Sequence, residues 1–281
     1  MAGISKELRM YRRSVIAERY EKEGSVPIAR DLGLTRSAVL NMAGRMGLVY
    51  ADRYKHHGEK VKAANKSCNH DYFKTWSPNM AYILGYIYAD GHINKTNTAL
   101  CLLCHSKDEE IIVAIHGELQ SLHKITRCPA KVCGGRNNGP RTTCNFSSMK
   151  LVEVLIQQHG VVSRKSSLDL PMPYVPEELF WHFFRGYVDG DGTIAVYYQR
   201  GVGYGNVSYV ATPTFGKQLA DKACELSGAS YRIPSVQGTI HSFTWRSRSD
   251  TLLIGNQMYP TGEYIFLKRK RDAFNAILAL K

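Results

Sequence analysis

Ile83-Leu84-Gly85-Tyr86-Ile87-Tyr88-Ala89-Asp90-Gly91 and Phe184-Arg185-Gly186-Tyr187-Val188-Asp189-Gly190-Asp191-Gly192 are one phrase written twice. Each runs Gly-Tyr, an aliphatic residue, a variable residue, a small residue, then Asp-Gly. A close local match repeated once at domain-sized spacing predicts two copies of one folding unit. What repeats is an apolar helix ending in an acid, so the chemistry is expected where the two copies meet.

The first helix has its start signal in Ser77-Pro78, an N-cap followed by proline at the first helical position. The second starts at Val175-Pro176-Glu177-Glu178. Both are apolar on most faces, which predicts burial. Gly85 and Ala89 are four residues apart, as are Gly186 and Gly190, so each pair shares one helix face. Such small-residue faces let two helix backbones approach closely, which would bring Asp90 and Asp191 out side by side. Helix C-termini already carry partial negative charge. Two carboxylates added there either raise a carboxyl pKa or recruit a divalent cation. Oxygen-only ligands favour a hard ion such as Mg²⁺, with the terminal carbonyls of Ala89 and Gly190 as further ligands. That layout suits metal-assisted phosphodiester hydrolysis. The plainer reading is two core helices with incidental Asp-Gly turns. An EF-hand begun at Asp189 fails, because Ile194 and Arg200 stand where it requires glycine and glutamate.

Of 281 residues, 37 are Lys or Arg and 24 are Asp or Glu, a formal charge of +13 that favours a polyanionic partner. No apolar run is long enough to span a bilayer, and Met1-Ala2-Gly3-Ile4-Ser5-Lys6 does not read as a signal peptide, so a soluble intracellular protein with no membrane partner is expected. Seven cysteines without a secretion signal read as free thiols. Cys101-Leu102-Leu103-Cys104-His105 formally matches a haem-attachment motif and half of a zinc site. The run is strand-like, and residues three apart on a strand face opposite ways, so neither reading stands.

Residues 1–50 form a separate all-α unit: a helix from about Lys6 to Glu23, a short helix in Ser25–Gly33, and a third capped by Thr35 and running to about Met46. Ala29, Gly33 and Val39 occupy the packing positions of a helix-turn-helix, and the segment resembles a helix-turn-helix DNA-binding domain. Arg36, Ser37, Asn41 and Arg45 are its expected exposed face; a generic three-helix bundle is the alternative. Residues 51–72 read as a basic linker. After each repeated helix, strand and helix patterns alternate, giving αββαββα over residues 73–165 and again over 166–281. The fold class is α+β, with two pseudo-symmetric repeats forming a saddle of antiparallel sheets on paired central helices. A duplex fits along that concave surface. Arg127, Lys131, Arg136, Arg141, Tyr197, Gln199, Arg200, Arg232, Gln237, Arg246 and Arg248 are the expected DNA contacts, since arginine and glutamine on strands reach base edges in the major groove.

The two signature helices, with Phe73-Lys74-Thr75-Trp76-Ser77-Pro78, Ser163-Arg164-Lys165-Ser166 and Phe266-Leu267-Lys268-Arg269-Lys270, resemble the single-chain, two-repeat LAGLIDADG homing endonucleases over about residues 73–281. The first helix departs at Tyr88, where many members have an acid; the second keeps Asp189 there. The resemblance implies a monomeric DNA endonuclease that cuts both strands of a long, asymmetric double-stranded target. It also implies that Asp90 and Asp191 are the essential acids. Lys165 and Lys270 would be the basic residues that order solvent and stabilise developing phosphate charge. Two alternatives remain open at this point: a catalytically silent DNA-binding transcriptional regulator, and an RNA maturase that assists intron splicing on intron RNA.

Overall fold

The computed structural model describes residues 5–48, 67–133, 136–163 and 168–280. The chain divides into two compact units, Met1–Ala63 and Ala64–Lys281.

In the N-terminal unit, α1 (Lys6–Glu23), α2 (Ser25–Asp31) and α3 (Arg36–Arg45) enclose a core of Ile16, Tyr20, Ile28, Ala29, Val39 and Ala43. The Ser5 and Thr35 hydroxyls accept hydrogen bonds from the Leu8 and Ala38 amides and so cap α1 and α3. Between α2 and α3 the chain turns through Gly33 at φ +60°, a conformation side chains disfavour.

The larger unit contains the duplication. Helix α4 (Pro78–Ala89) begins with the Ser77 hydroxyl accepting from the Met80 amide. It is followed by β1 (His92–Ile93), β2 (Leu100–His105), α5 (Glu109–Glu118), β3 (Ile125–Cys128), β4 (Lys131–Cys133), β5 (Arg136–Asn138), β6 (Arg141–Phe146) and α6 (Met149–His159). The second repeat has α7 (Phe180–Asp191), entered through a short 3₁₀ turn at Glu177–Leu179. Then come β7 (Gly192–Gln199), β8 (Val202–Ala211), α8 (Pro213–Ser227), β9 (Ser235–Gln237), β10 (Ile240–Trp245), α9 (Arg248–Met258) and α10 (Lys268–Leu278). The two four-stranded sheets run β1-β2-β6-β3 and β7-β8-β10-β9, the same order in each repeat, and every pairing is antiparallel.

Three departures from the sequence expectation have local causes. The strand expected over His92–Thr96 ends at Ile93, because the Asn94 side chain accepts from the Thr98 and Ala99 amides and closes a turn, with Asn97 at φ +53°. The strand expected over Tyr231–Val236 begins only at Ser235, since Pro234 offers no N–H to the ladder. Between β3 and β6, where a single hairpin was expected, β4 and β5 form an additional two-stranded ribbon. The span read as linker also ends early. The Ser67 carbonyl accepts from the Leu122 amide, and the Asn69 amide donates to the Leu119 carbonyl, so residues 67–72 belong to the first repeat.

The two repeats join through α4 and α7. Gly85 lies against the second helix so closely that a Cβ there would stand 2.0 Å from the Phe183 carbonyl oxygen. Reciprocally, a Cβ on Gly186 would stand 2.0 Å from the Tyr82 carbonyl oxygen. One helical turn on, a Cβ on Gly190 would meet the Ala89 methyl at 2.3 Å. The small-residue faces inferred from spacing therefore form the helix–helix interface.

A methyl group at Gly186 has no space and forces the helices apart. Gly186→Ala is expected to lower the stability of this unit by about 1–3 kcal/mol in urea unfolding. Gly117→Ala is the control: that position is helical, exposed and open on all sides, and the change is expected to raise stability by about 0.4–1 kcal/mol.

Candidate active site and nucleic-acid interface

Because α4 and α7 pack in register, their acidic ends arrive together. Asp90 follows the last residue of α4, its amide donating to the Tyr86 carbonyl, and its side chain is exposed. The carboxylate lies over the last turn of α7: a Cβ built on Gly190 would be 3.3 Å from Asp90 Oδ2. Asp191, half-buried, lines a mainly apolar cavity of about 260 Å³ together with Tyr88 and Ala89 of the first helix and Tyr187 and Phe215 of its own repeat. Each aspartate thus stands beside the end of the other helix. The Tyr187 hydroxyl senses both: its pKa is held well above the usual value, first by burial and then by the charges of Asp191 and Asp90.

The donor set is oxygen-only, two carboxylates at adjoining helix C-termini with Ala89 and Gly190 beside them. That chemistry fits a hard divalent cation. Among the described residues there is no cluster of three or more His, Cys, Asp or Glu side chains arranged to hold a metal. The Cys101–Cys104 pair is split as expected, Cys104 on the buried face of β2 and Cys101 on the other.

Of the two basic residues that the resemblance singles out, Lys165 lies outside the described residues. Lys270 is 2 % exposed, and its ammonium donates to the carbonyls of Val188 (2.5 Å), Asp189 (2.8 Å) and Gly192 (2.8 Å). Burial pushes it down to about 8. All three N–H groups are committed to backbone, so what it touches is the end of α7. Beside it is a cluster that sequence reading did not find. Asp189, 3 % exposed, accepts at Oδ2 from the Tyr82 hydroxyl and the Leu267 amide, both at 2.8 Å; burial raises its carboxyl to about 6. Arg185 is fully buried, donates to the carbonyls of Ile265 and Met258, and lies 4.3 Å from the Tyr264 ring centroid. The available signal was Arg185 and Asp189, two charged residues within the buried stretch of the second helix, where the first helix has Leu84 and Tyr88.

Strand alternation sorts the expected DNA contacts. In the second sheet Ile194, Val207, Tyr209, Phe243 and Trp245 point into the core. The opposite face carries Thr193, Tyr197, Gln199, Tyr204, Asn206, Ser208, Ser242 and Thr244, by register. Tyr197 stacks on Tyr204 at 5.4 Å. Arg246 follows core-facing Trp245 and is exposed; Arg232 and Arg200 are exposed near the same sheet end, Arg200 in the β7–β8 turn. Gln237 is on β9, and Lys131 and Arg136 are on the β4–β5 ribbon; their side chains lie outside the described residues. In the first sheet Arg141, Thr143 and Asn145 share the outer face of β6.

Two of the expected contacts lie off the strand faces on which they were expected. Arg127 pairs in register with Thr142, which is fully buried, so it projects to the helix-covered side, where it forms a bidentate bond with Glu109. Arg248 is on α9 rather than a strand, and its guanidinium donates to the Leu280 carbonyl. In the N-terminal unit Arg36, Ser37, Asn41 and Arg45 are exposed on α3, with Arg36 Nε donating to Ser25 at 3.3 Å. Among the described residues no helix is long and apolar enough to cross a membrane.

No protein-family model and no curated protein matches the sequence. Solved structures similar to it include LAGLIDADG proteins. They include the LAGLIDADG meganuclease I-AabMI bound to uncleaved DNA, at 13 % identity over 72 % of this chain and 90 % of that one, with a TM-score of 0.47. The LAGLIDADG homing endonuclease I-GzeII in complex with its DNA target is 12 % identical over 73 % of this chain and 89 % of that one, with a TM-score of 0.47. Full-length DUF199/WhiA from Thermatoga maritima is 13 % identical over 75 % of this chain and 64 % of that one, with a TM-score of 0.44.

The two sheets separate the arginines by face, and a binding experiment reads that separation. Arg246→Ala is expected to weaken duplex DNA binding by about 1–3 kcal/mol in fluorescence anisotropy titrations. Arg127→Ala is expected to leave the affinity within about twofold, because that guanidinium is on the opposite side of its sheet.

Proposed function

We propose that this protein is a site-specific DNA endonuclease that hydrolyses one phosphodiester on each strand of a long, asymmetric duplex target with Mg²⁺. The observation that carries the reading is the convergence of Asp90 and Asp191, one from each repeat, at the ends of the helix pair that joins the two sheets. A chain charge of +13 and a polar, tyrosine-bearing outer sheet face support a polyanionic duplex as the substrate. Asp90 and Asp191, with the carbonyls of Ala89 and Gly190, would hold the ion. When bound, it supplies an activated water and neutralises charge developing on the phosphate. The chain's own residues do the rest. The sheets orient the duplex, the two different halves read different half-sites, and one polypeptide suffices as a monomer. The three-helix unit, through Arg36, Asn41 and Arg45, adds a second point of attachment to DNA.

Asp90→Asn and Asp191→Asn are each expected to abolish double-strand cleavage of sites recovered from a randomised DNA library, with binding retained within a few fold. Cleavage should require Mg²⁺ and stop in EDTA, while folding by circular dichroism stays unchanged. Full cutting by either single variant, or in EDTA, contradicts the assignment. Tight, specific binding by the wild-type protein with no cutting in Mg²⁺ identifies a DNA-binding regulator instead, and stimulated splicing of an intron RNA identifies a maturase.

Deleting residues 1–63 removes the N-terminal unit and its cations. The remaining protein is expected to bind DNA more weakly and with a shallower salt dependence, the log–log slope dropping by about 0.9 for each phosphate left without its cation. Equal affinity and equal slope for the two forms would remove the N-terminal unit from the DNA interface.

A further inference from the structure

Register arranges the outer face of the first sheet in rows. On β6, Arg141, Thr143 and Asn145 point outward, alternating with buried residues. Strand β2 sets His105 opposite Arg141, Leu103 opposite Thr143 and Cys101 opposite Asn145. Strand β3, on the other side of β6, sets Thr126 opposite Thr143. The two flanking rows carry a guanidinium and a carboxamide, groups that make paired hydrogen bonds to guanine and to adenine in the major groove. The row between them is of another kind. It consists of Leu103, Thr143 and Thr126, and Leu103 is 46 % exposed. A single exposed leucine on a surface is ordinary. This one stands between an arginine row and an asparagine row, with a threonine methyl-bearing side chain on each of the next two strands. In the second sheet the outward rows include Thr193, Ser208 and Thr244, and the stacked pair Tyr197 and Tyr204, with no leucine on that face.

The apolar group that a base edge offers in the major groove is the 5-methyl of thymine. A leucine pressed against guanine, adenine or cytosine instead covers a donor or acceptor and leaves it unpaired. We propose that the row of Leu103, Thr143 and Thr126 selects a pyrimidine 5-methyl group. The half-site met by the first repeat then carries thymine under this row, between the positions met by Arg141 and Asn145. Outward residues on one strand recur every ~6.8 Å, which spans about two base steps, so neighbouring rows meet different base pairs. The inference rests on the duplex-DNA reading and deepens it, by naming the base chemistry that one half recognises and the other does not.

The test uses the full chain and duplexes recovered from a randomised library by binding alone, so that it does not depend on cutting. Anisotropy titrations then compare duplexes that differ at one position of the preferred site: thymine, deoxyuridine, cytosine and 5-methylcytosine. Within each pair, thymine with deoxyuridine and cytosine with 5-methylcytosine, the base edges differ only by the methyl. At a position in one half-site, deoxyuridine is expected to bind about fourfold more weakly than thymine, the effect of burying one methyl group. There, 5-methylcytosine should bind about fourfold more tightly than cytosine. Leu103→Ala, at an exposed position, should give the wild-type circular dichroism spectrum and lose both differences. Leu103→Gln should exchange the thymine preference at that position for adenine in a second selection. Arg141→Ala should keep the methyl preference and lose a base preference at another position. Equal affinity for thymine and deoxyuridine at every position overturns the inference, even if the protein binds its site specifically and cuts it. So does a methyl preference that survives in Leu103→Ala. A library that yields no preferred sequence brings down the DNA reading, and this inference with it.

Discussion

The backbone-to-backbone packing of α4 on α7 is the constraint on which the rest depends. Gly85 sits on the Phe183 carbonyl and Gly186 on the Tyr82 carbonyl, with no space for a methyl group on either side. That distance fixes three things at once. It buries both helices from Met80 to Ile87 and from Phe183 to Asp189, joining the cores of the two repeats into one continuous cluster. It sets the spacing of the two sheets, since each follows its helix directly in the chain. It also brings Asp90 and Asp191 to the same place. A wider helix pair with ordinary side chains between the backbones would move the two carboxylates apart.

Within this shared frame the halves have diverged in how they use polar groups. The second helix carries Arg185 and Asp189, both buried, with Lys270 alongside. Burying three ionisable groups is costly unless each is bonded. Arg185 and Lys270 satisfy their donors chiefly on backbone carbonyls, and Asp189 takes a hydroxyl and an amide on one oxygen. The other, Oδ1, has no hydrogen-bond partner among the described residues, consistent with a carboxyl raised to about 6 by burial. The first helix fills the equivalent space with Leu84 and Tyr88.

The outer sheet faces show how a small alphabet of side chains makes a surface that is polar without being sealed by ion pairs. Serine, threonine, asparagine and tyrosine alternate with the core residues of β7, β8 and β10, and arginines gather toward the sheet end. Where an arginine falls on the other face, as Arg127 does, a glutamate on α5 takes it. The same residue type therefore falls on opposite faces of the sheet one strand position apart.

Much of this was legible in the residues. Repetition of the Gly-Tyr…Asp-Gly phrase, the N-cap at Ser77 and the four-residue spacing of small side chains determined the helix pair, its packing face and the meeting of Asp90 with Asp191, because helix periodicity alone dictates which residues share a face. The N-terminal helices were set by equally local signals at Thr35 and Gly33. Tertiary structure decided the rest. The face on which Arg127 lies depends on a strand register fixed by the partner strand, and the ends of β1 and β9 depend on side-chain and proline effects within turns. The destination of Lys270 depends on α10 docking from far along the chain, on carbonyls that no local pattern marks as needing a cap. Periodicity carries information about neighbours within a helix or strand; the partner of a buried charge is set by what the folded chain brings across from elsewhere.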